Sequence, residues 1–224
     1  MKNSNKIIYK NFIKKKYLKL EKNNKIKKNC STIIDNIIKN LDTNKNNFHS
    51  LSKNFKLNFR LKDLKKFRKF DTVVVIGMGG SILGAESIYC FLKKKIKKTF
   101  LFMNDINEDQ INSIKKKSLS DILFILVSKS GDTIETFSNI VALKMLKKNS
   151  KNIIIISEKN NNILHSLSQK MNLFYIEHKK YIGGRYSVLS EVGVVPAFLM
   201  GVNIHKLRNN LLTHFKSKKK NFLK

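Results

Sequence analysis

From Asp71 onward, short runs that are apolar throughout and rich in β-branched residues alternate with stretches of helical length. The runs fall at 72–76, 100–103, 122–127, 152–156 and 173–176, and between them 83–93, 109–116, 133–147 and 162–171 carry helical spacing. A strand with one wet face would alternate apolar and polar residues, whereas a continuously apolar strand has to be covered on both faces. Strands of that kind, joined by helix-length connections, run parallel through crossover helices. The expected fold class is therefore α/β: a three-layer αβα sandwich with a mostly parallel five-stranded sheet.

The flanks read differently. Residues 1–65 are rich in Lys and Asn, and Ile33, Ile34, Ile37, Ile38 and Leu41 recur at three- and four-residue steps, which predicts an amphipathic helical arm. Residues 66–202 form the expected α/β domain, its end at 191–211 reading as one or two helices with Pro196 near a first turn or at a kink. Residues 203–224 are a basic tail or the start of a second domain. The 224 residues suffice for one sizeable core with an appendage.

A formal net charge of +31 invites a polyanionic partner. The cations are nearly all Lys, however, and are spread along the chain among Asn and Ile, as codon usage in an AT-rich genome would place them on tolerant surface positions. No zinc-ligand spacing or aromatic-basic strand accompanies them, so specific nucleic-acid binding is not expected. Cys30 and Cys90 lie far apart and share no metal-like spacing with His49, His165, His178, His205 or His214; reduced, buried or idle thiols and a cytoplasmic location are expected. The N-terminus lacks an apolar signal core, and no stretch is apolar over the length of a membrane span.

Three polar loops follow apolar runs and open helices. In Gly77-Met78-Gly79-Gly80-Ser81, glycines let a ligand approach the backbone at the positive end of a helix. Ile82 stands where a dinucleotide loop needs its third glycine, and Ala85 where a Walker loop needs lysine; joining strand to helix is the simpler alternative. In Ser128-Lys129-Ser130-Gly131-Asp132-Thr133, three hydroxyls, a cation and helix N–H groups can converge on one phosphate. Capping by Ser130, Asp132 or Thr133 is the alternative there, and accounts for one hydroxyl. The third loop, Gly183-Gly184-Arg185-Tyr186-Ser187, carries one of only four arginines. Its guanidinium can hold an oxyanion through paired hydrogen bonds.

In this order and spacing, and with Val188-Leu189-Ser190-Glu191-Val192-Gly193-Val194-Val195-Pro196-Ala197 continuing the third loop, residues 70–202 resemble the amino-terminal sugar isomerase (SIS) domain of the glucose-6-phosphate isomerase family. The resemblance implies that Ser128, Ser130 and Thr133, with the backbone near Lys129, hold a sugar 6-phosphate. It implies that Gly80 and Ser81 line the sugar, and that Gly184 and the catalytic Arg185 stand beside its C1–C2 end, Arg185 steadying a cis-enediol intermediate. No metal or organic cofactor is implied, and the implied partners are a sugar phosphate and a second copy or a missing carboxy-terminal half. The family's proton-transferring Glu lies in a Gly-Glu-Pro segment beyond this domain, as do its ring-opening His and late Lys, and this chain has no such segment. None of Glu86, Glu135, Glu158, Glu177 or Glu191 takes the base's role by motif, so the chain alone is expected to be a poor catalyst. A non-catalytic sugar-phosphate regulator is the alternative expectation.

Overall fold

The computed structural model describes residues 24–43, 45–209, 211 and 213. Five strands form one sheet: β1 (Thr72–Gly77), β2 (Thr99–Met103), β3 (Ile122–Val127), β4 (Ile153–Ser157) and β5 (Phe174–Glu177). Their order is β2-β1-β3-β4-β5 and every pairing is parallel, so the sheet is wholly rather than mostly parallel. The central position of β3 explains its Ile-Leu-Phe-Ile-Leu-Val sequence, in which every residue is buried. Branched side chains fit that pleated, doubly covered environment.

Successive residues feed opposite faces. Val73, Val75, Leu123, Ile125, Val127, Ile154 and Ile156 join one core, and Val74, Ile76, Phe124, Leu126, Ile153 and Ile155 the other. The first face is covered by a 3-10 helix at Leu61–Lys69, by α2 (Leu83–Leu92), by α6 (Glu191–Leu199) and by α7 (Ile204–Arg208). The second is covered by α3 (Glu108–Lys115), α4 (Ile134–Leu143) and α5 (Ile163–Lys170). Two layers of helix around one sheet give the expected sandwich.

Helix ends follow local chemistry. Asn107 and Asn162 cap α3 and α5, accepting the N–H groups of Gln110 and His165. The expected helix at 133–147 stops at Leu143, because Lys144 turns into the left-handed region at φ 50° and its N–H closes on Val141 O. All nine residues of α6 are buried, as its sequence, apolar after Glu191, requires. Pro196 lies inside α6 rather than in its first turn, in a helix short enough that one lost N–H breaks little of the ladder.

The arm departs from expectation. α1 (Asn24–Lys39) is helical, with Ile34, Ile37 and Ile38 half-buried and Leu41 buried beyond it, but Ile33 remains 57% exposed. From 45 to 60 the chain has no α-helix, only a 3-10 turn at His49–Leu51. Tertiary hydrogen bonds and the packing of Phe55, Leu57 and Phe59, rather than a helical seam, hold this stretch. Helices expected before residue 24 lie outside the described residues, as does most of the basic tail. Cys30 and Cys90 are free and exposed, not buried. No helix among the described residues is long and apolar enough to cross a membrane.

Candidate functional site

The chain runs outward from β1 to β2 and then returns across β1 to reach β3. Connections therefore diverge at the carboxyl ends of β1 and β3, the crevice where open α/β sheets place ligands. Gly77 and Val127 are register partners, so the first and second loops leave adjacent strand ends. A β-carbon at Gly77 would lie 2.7 Å from Val127 O, which is why these two strands can close so tightly beneath the crevice.

The first and third loops meet backbone to backbone. Gly79 turns the chain at φ 51°, and the turn closes through Ser81 N–H to Met78 O and Ile82 N–H to Gly79 O. The hydroxyl of buried Ser187 lies 2.6 Å from Gly184 O and 3.2 Å from Gly80 O, donating between the two carbonyls. Beneath the third loop, a β-carbon on Gly193 would sit 2.0 Å from Val188 O, so α6 presses directly on it. The result is a small cleft of about 200 Å³ lined by Gly80, Leu83, Gly84, Gly184, Arg185 and Val188, with Arg185 exposed. Ser81 is half-buried in the same turn but is not among the lining residues.

In the second loop the hydroxyls do converge. Ser128 Oγ stands 2.7 Å from Thr133 Oγ1 and 3.5 Å from Ser130 Oγ, and accepts the Gly131 N–H at 3.1 Å. Capping of α4 does not explain them: Thr133 occupies the cap position without a side-chain bond to the helix. Asp132 instead accepts the N–H of Ile163, at the start of α5. Gly131 turns at φ 78° against Asn162, whose Oδ1 would lie 1.9 Å from a β-carbon there. The loop is thus fixed to α5, while the first-turn amides of α4 point at the hydroxyl cluster's end of the helix. Lys129 differs from expectation, since its Nζ pairs with Glu158 Oε1 at 3.6 Å rather than with any of the three hydroxyls.

Behind these loops lies a polar layer that the sequence motifs do not announce. Glu191, wholly buried, holds Lys179 Nζ at 3.2 Å and accepts the Asn58 N–H at 2.9 Å through the same Oε1. Lys179 also donates to Asn58 Oδ1, and Asn58 Nδ2 to Glu177 O. His178 is buried with neither ring nitrogen bonded, and burial, aided by Lys129 and Lys179, pushes its pKa down to about 4. On the arm, Asn47 Oδ1 accepts the Gly183 N–H at 2.6 Å and His49 Nδ1 meets Tyr181 OH at 2.9 Å. Glu135 is exposed in the first turn of α4 and Glu191 is sealed in its ion pair. No residue lining the small cleft carries a carboxylate.

Two solved structures share this architecture. A hypothetical protein of Thermus thermophilus superposes with a TM-score of 0.66 at 20% identity, covering 86% of this chain and 50% of its own. A glucose-6-phosphate isomerase from Chlamydia trachomatis gives 0.54 at 24% identity, covering 66% and 29%. In sequence, the chain is 29% identical over 201 residues to the glucose-6-phosphate isomerase of Methanocaldococcus jannaschii, covering 89% of this chain and 49% of that protein. It is 39% identical over 144 residues to the glucose-6-phosphate isomerase of Borreliella afzelii, covering 57% and 26%. The chain thus spans half or less of the length of these curated relatives. The family model for phosphoglucose isomerase matches residues 18–223, a span that contains all three loops and every described element, and the chain belongs to that family.

Proposed function

We propose that this chain supplies one side of a glucose-6-phosphate isomerase site, the side that holds the phosphate and the oxyanion. The convergence of Ser128, Ser130 and Thr133 beside the uncapped start of α4 is the observation that carries this reading. Three hydroxyls and the helix amides suit a dianionic phosphate, which each hydrogen bond to a charged group stabilises by about 1.5–3 kcal/mol. Where the loop after β1 meets the turn before α6, Gly80, Gly184 and Arg185 border a cleft of about 200 Å³. An open-chain hexose bound by its phosphate would extend its C1–C2 end toward that cleft. There the guanidinium would stabilise the enediolate formed when a proton leaves C2 and returns at C1.

The proton carrier is not among the residues lining the cleft. General acid–base catalysis contributes about 10²–10⁴-fold, so the residues of this chain bind and stabilise but turn over slowly by themselves. A second copy or a carboxy-terminal half of the family's sequence would complete the site in the cytoplasm. The test is calorimetric titration of the purified chain with glucose 6-phosphate, glucose and inorganic phosphate, alongside an isomerase assay. Saturable binding of both phosphates but not glucose, with little turnover, is expected. Failure to bind either phosphate overturns the site assignment, and appreciable turnover overturns the missing base.

A further inference from the structure

The turn that carries Arg185 is not held by the sheet. It lies between β5 and α6, and its first amide, Gly183 N–H, has its acceptor in the arm, 136 residues earlier, at Asn47 Oδ1. The residues around Asn47 grip the same segment on either side. Phe48 sets its ring edge-on against Tyr186, with centroids 5.4 Å apart, and His49 Nδ1 reaches Tyr181 OH at 2.9 Å. Asn46 fixes the local bend by accepting the Phe48 N–H at 2.9 Å. A β-carbon on Gly183 would lie 3.1 Å from Asn47 Oδ1, so a side chain there would press this acceptor back by a few tenths of an ångström.

From this geometry we infer that Asn47 is a positioning residue for Arg185: its carboxamide oxygen fixes where the Gly184-Arg185 turn begins, and with it the direction in which the guanidinium can approach a bound oxyanion. The inference rests on the functional reading above and adds a residue from outside the α/β domain. A backbone hydrogen bond to a side-chain acceptor sets the start of a turn as a helix cap does. When the acceptor is lost, the amide seeks another partner and the turn moves with it. The phosphate loop is separate. Its hydrogen bonds run among Ser128, Ser130, Gly131 and Thr133, to α5 and to the end of β4, and among the described residues none involves the arm.

Two variants of the full chain decide the matter: Asn47→Leu, which removes the acceptor at similar volume, and Asn47→Asp, which keeps it. Each is titrated with inorganic phosphate, which needs only the hydroxyl loop, and with a hexonate 6-phosphate, whose C1 carboxylate stands in for the enediolate oxygens. Asn47→Leu is expected to lose about tenfold in affinity for the hexonate phosphate while inorganic phosphate stays within about twofold, and Asn47→Asp to behave as the parent. Equal losses for both ligands, no loss for either, or an Asp variant as impaired as the Leu variant would each overturn the inference. Hydrogen exchange at the Gly183, Gly184 and Arg185 amides, measured without ligand, separates the two readings. If the parent binds no phosphate the functional reading fails, yet faster exchange confined to these amides in Asn47→Leu still supports the positioning role, and unchanged exchange sinks it.

Discussion

Gly80 and Gly184 are in contact through their main chains: a β-carbon added to Gly80 would lie 2.3 Å from the Gly184 carbonyl carbon and 2.6 Å from Arg185 N. Neither obstacle is a side-chain tip that can swing away, so Gly80→Ala has to part the two loops. We expect a stability loss of about 1–3 kcal/mol in urea and loss of sugar-phosphate binding. Gly79→Ala is the control. It meets no atom within 4 Å and differs only in holding φ 51°, which costs roughly 1–2 kcal/mol for a residue with a β-carbon. Equal binding by both variants would show that the contact at Gly80 does not shape the site.

Ser128 accepts the Gly131 N–H and meets Thr133, so Ser128→Ala removes a hydroxyl of the proposed phosphate site and a support of the turn together. Inorganic phosphate should bind at least about tenfold more weakly to Ser128→Ala, and less severely so to Thr133→Val, which leaves the turn's own hydrogen bond in place. Unchanged phosphate affinity in both would remove the hydroxyl cluster from the site.

Lys179 and Glu191 are coupled in the interior, with Glu191 inaccessible to solvent. Lys179→Met strands a buried carboxylate and should cost about 3–5 kcal/mol. Glu191→Gln should cost less, because the amide oxygen still accepts the Asn58 N–H. Denaturant unfolding of both singles and the double variant measures the coupling, and a double variant whose loss equals the sum of the two single losses would show that the two side chains act independently.

His178 predicts an acid limit. With its pKa lowered from 6.5 to about 4 in the fold, the imidazole stays neutral where the unfolded chain already takes up a proton. Its contribution is therefore complete above pH 6.5 and is lost as the pH falls from there toward 4, on the order of 3 kcal/mol across that window. His178→Leu should flatten this part of the stability profile. A variant whose stability falls just as steeply between pH 6.5 and 4 would place the acid sensitivity elsewhere.

The sheet was legible because its strands are apolar on both faces: 122–127 was readable as a strand to the residue, and the other four to within one residue at either end. The hydroxyl cluster was also legible, since Ser128, Ser130 and Thr133 lie within one loop and meet over short chain distances. Lys129 was not, because its partner Glu158 comes from the end of a different strand. Asn47, Asn58 and Glu191 left no trace in spacing or periodicity. Their contacts join the arm to a segment more than 130 residues away, and an Asn in a Lys/Asn-rich stretch carries no pattern that marks it as an acceptor. The arm misread as helix from 45 to 60 has the same cause, since its backbone is held by tertiary bonds that local propensity does not encode.

The long reach of those bonds also sets an order of events during synthesis. Asn47 and Asn58 leave the ribosome well before the residues that will bind them, Gly183 and Glu191, which follow 136 and 133 positions later. At roughly 5–20 residues per second the arm waits on the order of 7 to 30 s without its partners. Throughout that interval the strands can assemble in turn, and Leu57 and Phe59 can pack on the growing core, but the hydrogen bonds of Asn47 and Asn58 cannot close, so the contact that sets the arginine turn forms late.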